Sequence, residues 1–186
     1  MNNNAVLEAT RCWVEGTVVA LDLCPFAAVP VKAGRIRYVV CAESDMDGIY
    51  RSVLSEFETL YGLSEEEAEA SLLIVPVGLA SFDDYLDLLQ AVESVIPEAG
   101  LEGVFQLASF HPDYQFEGCD EEDPTNYTNR SPYPMFHLIR EVSLEQALKN
   151  YPDPELIPER NMALLREMGL EALKKRLSRC FEHGRE

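Results

Sequence analysis

Positive charge is missing from a long central part of the chain. No Lys or Arg occurs between Arg51 and Arg130, and that interval holds 18 acidic residues. The remaining 15 acidic residues match the 15 Lys and Arg, so the net charge of −18 lies in the middle of the sequence. Such a field repels nucleic acid and anionic membranes, and we expect neither as a partner. It indicates a solvated acidic surface or a basic protein partner, and a homo-oligomer stays open.

The sequence also lacks the patterns of secreted, zinc-binding and membrane proteins. Its five cysteines are scattered and include no C-x-x-C pair, which fits a reducing compartment. No stretch approaches the ~20 apolar residues of a membrane span, and the N-terminus has no basic start typical of a signal peptide. Neither a Gly-rich dinucleotide motif nor a P-loop is present. We therefore expect a cytoplasmic protein and predict no cofactor, with a metal as an alternative.

The pattern of apolar residues predicts a single layered domain over residues 1–186. With 47% hydrophobic residues the chain has enough apolar side chains for a sizeable core. Apolar spacing predicts helices at about 5–23, 44–62, 81–96, 143–150, 154–168 and 170–181, and strands at 36–41, 72–77, 104–109 and 135–141. Strands that alternate with helices favour an α/β (or α+β) fold with three to four mostly parallel strands, flanking helices and a helical C-terminal part.

Polar, aromatic and turn-forming residues are densest between Phe110 and Glu141, which includes a long loop at 110–134. His111 directly follows the third predicted strand, where open α/β sheets bind ligands. It is either an acid/base group or metal ligand, or a histidine hydrogen-bonded within the loop. His137 shares one face of the fourth predicted strand with Ile139 and is either catalytic or buried and structural.

Arginines in and near this segment are candidates for anion binding. Arg130 ends the long interval without cations, and its guanidinium suits a carboxylate or phosphate. It either holds such a substrate or ties the loop to the acidic run at 120–123. Arg140 either joins that site or is structural.

Cys24 is a candidate nucleophile in the sequence L-C-P-F-A. The predicted end of a helix at this point would raise the thiol pKa, so activation requires a nearby cation such as Arg35 or Arg37. The alternative is a small buried thiol. A metal set of His111, Cys119, His137 and Asp113 can also be written, although its spacing matches no standard zinc pattern.

Three segments resemble one bacterial family, the domain of unknown function (DUF) 1415. They are L-C-P-F-A at 23–27, F-H-P-D-Y-Q-F at 110–116 and N-R-S-P-Y-P-M-F-H-L-I-R-E at 129–141. The resemblance covers nearly the whole chain and implies no particular reaction. It implies that the signature residues are Cys24, His111, Tyr114, Gln115, Asn129, Arg130, Ser131, Tyr133, His137 and Arg140.

These observations favour a small enzyme, a hydrolase or group transferase, acting on a small anionic metabolite. The expected catalytic residues are His111, Cys24 and His137. The expected substrate-binding residues are Arg130, Arg140, Arg35, Arg37, Tyr114, Gln115, Asn129, Ser131 and Tyr133. The alternatives are a non-catalytic binding or regulatory module with an acidic surface, and a metal-dependent enzyme.

Overall fold

A computed structural model describes residues 2–149 and 151–182. The helices are α1 (Asn3–Trp13), α2 (Ala28–Ala33), α3 (Met46–Gly62), α4 (Phe82–Glu98), α5 (Glu141–Lys149), α6 (Ile157–Met168) and α7 (Leu170–Arg179). The strands are β1 (Ile36–Val40), β2 (Ala70–Ile74), β3 (Phe105–Phe110) and β4 (Met135–Arg140). A π-helical segment (Val14–Val19) continues α1, and 3₁₀ turns occupy Pro124–Thr128 and Pro154–Leu156.

The α/β prediction is confirmed, but the sheet is not mostly parallel. Its order is β1-β2-β4-β3, with β1 parallel to β2 and with β4 antiparallel to both β2 and β3. The first three strands therefore do run in one direction, as crossover helices favour. The loop at 111–134 returns β4 into the gap between β2 and β3, which the alternation of strands and helices along the chain does not show. This insertion replaces a parallel pair by two antiparallel ones.

Alternating side chains on the strands divide the core into two layers. Leu73, Phe136 and Leu138 face α3 and α4, where they form one apolar cluster. Leu72 and Met135 face α1 and the π-helical segment in a second cluster. The two-residue period of a strand explains this division, and it directs His137 toward the α1 layer, beside Leu72 in register.

Two helices begin at residues whose side chains cap them, and a third begins earlier than the sequence predicts. Gly48 donates its N–H to the Asp45 carboxylate at 2.9 Å, and Asp84 donates to the Ser81 hydroxyl at 3.3 Å. The helix predicted to begin at Ser143 instead begins at Glu141. The backbone passes directly from β4 into α5 there, and Glu141 donates its N–H to Val104 at 3.0 Å.

The long N-terminal helix predicted to reach residue 23 ends earlier than expected. It changes to π-helical hydrogen bonding at Val14 and turns at Asp22, whose φ is +51°. The predicted end of the 143–150 helix, Asn150, lies outside the described residues. Within residues 2–149 and 151–182, no helix is both long enough and apolar enough to cross a bilayer.

Candidate functional site

His111 lies just beyond β3, buried, with both ring nitrogens in use. Its Nε2 lies 3.0 Å from the Leu79 carbonyl, and the Asp113 N–H donates to Nδ1 at 3.0 Å. Because Nδ1 accepts, Nε2 must carry the proton and donate to Leu79. Burial lowers the pKa of His111, against the smaller opposing effects of Leu79 and Asp113. The neutral ring thus links the segment after β2 to the loop after β3.

The loop at 110–134 is held together by side chains that bond to its own backbone. Arg130 donates to the carbonyls of Tyr114 and Glu121 at 3.0 and 2.8 Å. Asn126, which is fully buried, accepts from the Phe116 N–H at 3.0 Å and donates to the Asp120 carbonyl at 2.9 Å. These contacts give the loop one shape without a ligand.

Three further residues expected to bind substrate make the same kind of contact. Gln115 donates to the Cys119 carbonyl at 2.6 Å, and Asn129 donates to the Ser109 carbonyl at 2.9 Å. The buried Ser131 hydroxyl donates to the Tyr133 carbonyl at 2.7 Å. Each of these polar side chains has a partner within the chain.

The two tyrosines of the loop pack against other rings. Tyr114 lies 5.2 Å from Phe82 and 5.0 Å from Phe116, measured between ring centroids. Tyr133 lies 5.7 Å from Phe181 in an edge-to-face arrangement. Burial raises the pKa of the Tyr133 hydroxyl. Both rings join the loop to its surroundings through apolar contact.

The structure places Arg140 at the opposite end of the sheet from His111. Its guanidinium donates to the carbonyls of Ala68, Leu60 and Leu63 at 2.9, 2.5 and 2.6 Å. Leu60 lies in the last turn of α3, whose final carbonyls have no partner within the helix. Arg140 therefore caps α3 from a buried position.

The two arginines near β1 form ion pairs with buried glutamates. Arg37 donates to Glu56 at 2.8 Å, and Ser71 donates to the same carboxylate at 2.6 Å. Arg35 Nε lies 2.8 Å from the Glu69 carboxylate, yet this N–H is not aligned for a hydrogen bond and has no other partner among the described residues. Arg35 and Arg37 therefore pair with two different glutamates and do not form a common anion site.

Cys24 and His137 both line one cavity between the sheet and the α1 layer. The cavity has a volume of about 100 Å³. Its lining consists of Trp13, Val14, Val18, Cys24, Phe26, Ala27, Ile36, Leu72, Ala108, Phe110, His137 and Ile139. Apart from the thiol and the imidazole, these side chains are apolar.

His137 is the polar group of this cavity with an unused hydrogen-bonding position. Its Nε2 is buried and has no hydrogen-bond partner within the described part of the chain. The side chain is deeply enclosed by protein, while the residue as a whole keeps some accessible surface. Burial lowers its pKa to about 4, so the ring is neutral at pH 7.

Cys24 is half-buried in the turn that precedes α2. Burial raises its thiol pKa, the N–H groups of Phe26 and Ala27 act in the opposite direction, and Asp22 adds a small increase. The sequence also predicted a raised thiol pKa for Cys24. The main cause, however, is desolvation by burial and not the end of a helix. The thiol is protonated at rest.

Most residues that line the cavity were not among the site residues expected from the sequence. Trp13 and Phe110, whose ring centroids are 5.0 Å apart, form part of its wall. Val14 and Val18 come from the π-helical segment, a conformation that is frequent at functional sites. The single tryptophan of the chain, Trp13, was the one feature of the sequence that could have indicated this cavity. Its position in the apolar stripe of a helix instead suggested an ordinary core residue.

A second, more open cleft of about 450 Å³ lies at the carboxyl ends of β2 and β3. His111, Pro112, Asp113 and Tyr133 line part of it. Its location matches the sheet edge expected to bind ligands, but the His111 nitrogens are already bonded. Over residues 2–149 and 151–182, no group of three or more His, Cys, Asp or Glu is placed to hold a metal ion.

Comparison with known proteins agrees with the resemblance carried by the sequence motifs. No curated protein and no solved structure matches this chain. A family model matches residues 5–175, which include Cys24, His137 and the whole 110–134 loop. The chain therefore belongs to the family described as protein of unknown function (DUF1415).

Proposed function

We propose that the protein is a thiol-dependent enzyme, a hydrolase or group transferase, with Cys24 as nucleophile and His137 as proton acceptor. The observation that carries the proposal is the shared cavity, whose lining includes the Cys24 thiol and the His137 imidazole. The Nε2 of this imidazole has no hydrogen-bond partner among the described residues. Most buried polar atoms in folded proteins are bonded. We therefore assign the unpartnered nitrogen of His137, which lies on a residue of the cavity lining, to proton transfer with a bound group. His111 has no such free position, and its role in the proposal is to hold the loop.

The resting pair is neutral, because burial disfavours both the thiolate and the imidazolium. Ionisation is therefore coupled to the reaction. Proton transfer from Cys24 to His137 produces opposite charges that attract each other strongly in a medium of low dielectric. The N–H groups of Phe26 and Ala27 favour the thiolate from the backbone side.

The proposed class of substrate is based on the size and lining of the cavity. Its volume of about 100 Å³ holds roughly three to four non-hydrogen atoms, at ~30 Å³ for each water-sized group. Its apolar walls favour a short acyl or alkyl group attached to a polar leaving group. Four arginines were expected to hold an anionic substrate: Arg35, Arg37, Arg130 and Arg140. Each of them is paired with another group of the chain, so the proposal does not include an anionic substrate.

In the proposed reaction, the Cys24 sulfur attacks the carbonyl carbon of a short acyl ester or thioester. The thiol proton passes to His137 and then to the departing alcohol or thiol, which leaves an acyl thioester on Cys24. Water or another acceptor takes the acyl group in the second half, and His137 removes its proton and returns it to the thiol. A reducing compartment such as the cytoplasm would keep Cys24 in the required thiol state.

Hydrolysis of a series of p-nitrophenyl esters, from acetate to octanoate, tests the proposal. We expect turnover for the short acyl groups and a sharp decrease beyond butyrate. Cys24→Ala and His137→Gln should lose this turnover, while the control Cys119→Ser, which changes another half-buried cysteine outside the cavity, should keep it. Turnover retained by folded Cys24→Ala would refute the assignment.

A further inference from the structure

The turn that carries Cys24 is held by a helix from a distant part of the sequence. Asn161, which lies in α6 and is buried, donates from Nδ2 to the Leu23 carbonyl at 2.7 Å. Its amide oxygen accepts from Arg160 at 3.2 Å, which agrees with this orientation of the amide. Leu23 directly precedes Cys24, so α6 holds the backbone one residue away from the proposed nucleophile.

A second set of contacts from the same part of the chain holds Asp22. Arg160 donates to the Asp22 main-chain carbonyl and, at 3.0 Å, to its carboxylate. The Tyr151 hydroxyl donates to the same carboxylate at 2.8 Å. Asp22 has a φ of +51°, a conformation that is unfavourable for a residue with a Cβ and that persists where the surroundings enforce it. These contacts keep the chain in the turn that leads to Cys24.

The same turn is also bonded to the π-helical segment. Asp22 donates its N–H to the Val19 carbonyl at 3.0 Å, and Leu23 donates to the Val18 carbonyl at 2.9 Å. Val18 lines the cavity, so the N–H of Leu23 is fixed by a residue of the cavity lining and its carbonyl is fixed by Asn161. The backbone that enters Cys24 is therefore held from two elements.

Apolar packing adds to the hydrogen bond between α6 and this turn. Leu165 of α6 is fully buried in a cluster with Leu23 and with Tyr127, which lies in the 3₁₀ turn of the 110–134 loop. Leu23 is thus packed against α6 as well as bonded to it.

We propose that Asn161 is a positioning residue for Cys24, which it keeps in the cavity lining by binding the Leu23 carbonyl. The inference rests on the proposed function for the role of Cys24 as nucleophile. Asn161 lies outside the cavity lining, so it acts through the turn and does not contact the substrate. A small displacement of a reacting group reduces the rate of the chemical step much more than it reduces substrate binding.

Alkylation of Cys24 by iodoacetamide in the native protein, followed by peptide mass spectrometry, measures this positioning without a substrate. Asn161→Leu keeps the approximate size of the side chain and removes the donor. Loss of a buried hydrogen bond should open the turn about 10 times more often and raise the alkylation rate of Cys24 by the same factor. The buried Cys41 is the internal control, because it reacts only when the fold opens more widely, and its rate should not change.

Turnover of p-nitrophenyl butyrate should change in the opposite direction. We expect kcat of Asn161→Leu to fall about 10- to 100-fold with KM almost unchanged, because the thiol is misplaced while the cavity remains. If the wild type has no turnover, the proposed function fails, while the alkylation rates still decide whether Asn161 positions Cys24.

Two arginines of α6 provide a matched pair of further variants. Arg160→Gln removes the contacts with Asp22 and should accelerate alkylation of Cys24 as Asn161→Leu does, by a smaller factor. Arg166→Gln removes an ion pair with Asp123 at 3.7 Å and should leave the alkylation rate of Cys24 unchanged.

The inference is overturned if Cys24 in folded Asn161→Leu reacts at the wild-type rate, or if Cys24 and Cys41 accelerate together. If Asn161→Leu does not fold, equal alkylation rates of Cys24 in the two arginine variants overturn it.

Discussion

The buried imidazole of His137 makes the stability of the protein depend on pH in a calculable way. Its pKa is about 4 in the native state, against about 6.5 in an unfolded chain. The native state therefore binds the proton less readily, and unfolding takes it up. The contribution of His137 to stability is complete above pH 6.5 and decreases as the pH falls from 6.5 toward 4.

Between pH 7 and pH 5 this single group should lower the free energy of unfolding by about 2 kcal/mol. Carboxylates and His111, whose pKa is also lowered by burial, contribute to the same pH range. The contribution of His137 is therefore obtained by comparing the pH dependence of the free energy of unfolding between the wild type and variants at this position. His137→Leu and His137→Gln remove the titration while placing an apolar and a polar side chain in the cavity, so titration is separated from packing.

Urea unfolding of the three proteins at both pH values measures this contribution. We expect both variants to lose about 2 kcal/mol less than the wild type on acidification, whatever their stability at pH 7. An NMR titration should find the His137 ring neutral down to about pH 5. Equal losses in all three proteins, or a His137 ring that titrates near 6.5, would show that Nε2 is solvated or paired and would remove the basis of the candidate site.

Three other substitutions test separate parts of the structure. Gly78→Ala should cost more than about 3 kcal/mol by urea unfolding, because a Cβ there lies 2.3 Å from the Ser44 carbonyl oxygen at a φ of +105°. The control Gly100→Ala, at a φ of +69° in open space, should cost only about 1 kcal/mol, and equal costs would contradict the clash. Arg140→Met should cost about 3 to 5 kcal/mol, because three backbone carbonyls lose a charged donor; a cost below about 1 kcal/mol would refute the capping role of Arg140. Asn126→Ala should accelerate amide exchange at Phe116, whose N–H it accepts, while leaving Phe136 in β4 protected; unchanged exchange at Phe116 would contradict the internal bonding of the loop.

Local signals in the sequence were sufficient for most of the helices and strands. The helices predicted at 44–62, 81–96 and 154–168 are found with similar bounds, because their ends are decided by neighbouring residues: the caps Asp45 and Ser81, and Gly169 with its φ of +76°. The short helix α2 was missed, because its six residues carry little periodic signal. The boundary at Glu141 was missed, because a strand leads into a helix without a turn.

The candidate site was only partly visible from the sequence. The density of histidine, arginine and asparagine in the 110–134 loop suggested a ligand site there, whereas these side chains bond to backbone carbonyls of the loop and of the segments beside it. A residue type that suits a ligand equally suits a backbone group, and sequence alone does not distinguish the two. Cys24 and His137 were both expected to be catalytic, but their placement in the lining of one cavity was not predictable from the sequence.

The period of most helices and strands, the face of β4 on which His137 lies and the acidic middle of the chain can be read from the sequence alone. These properties follow from backbone geometry and from the need to bury apolar side chains, which act over a few residues. The packing of the whole chain was needed to show that β4 enters between β2 and β3, that Arg37 pairs with Glu56, and that Cys24 lines the same cavity as His137. Such pairings are selected by the free energy of the whole packed chain, because contacts between distant segments compete with one another and only one arrangement fills both sides of the sheet.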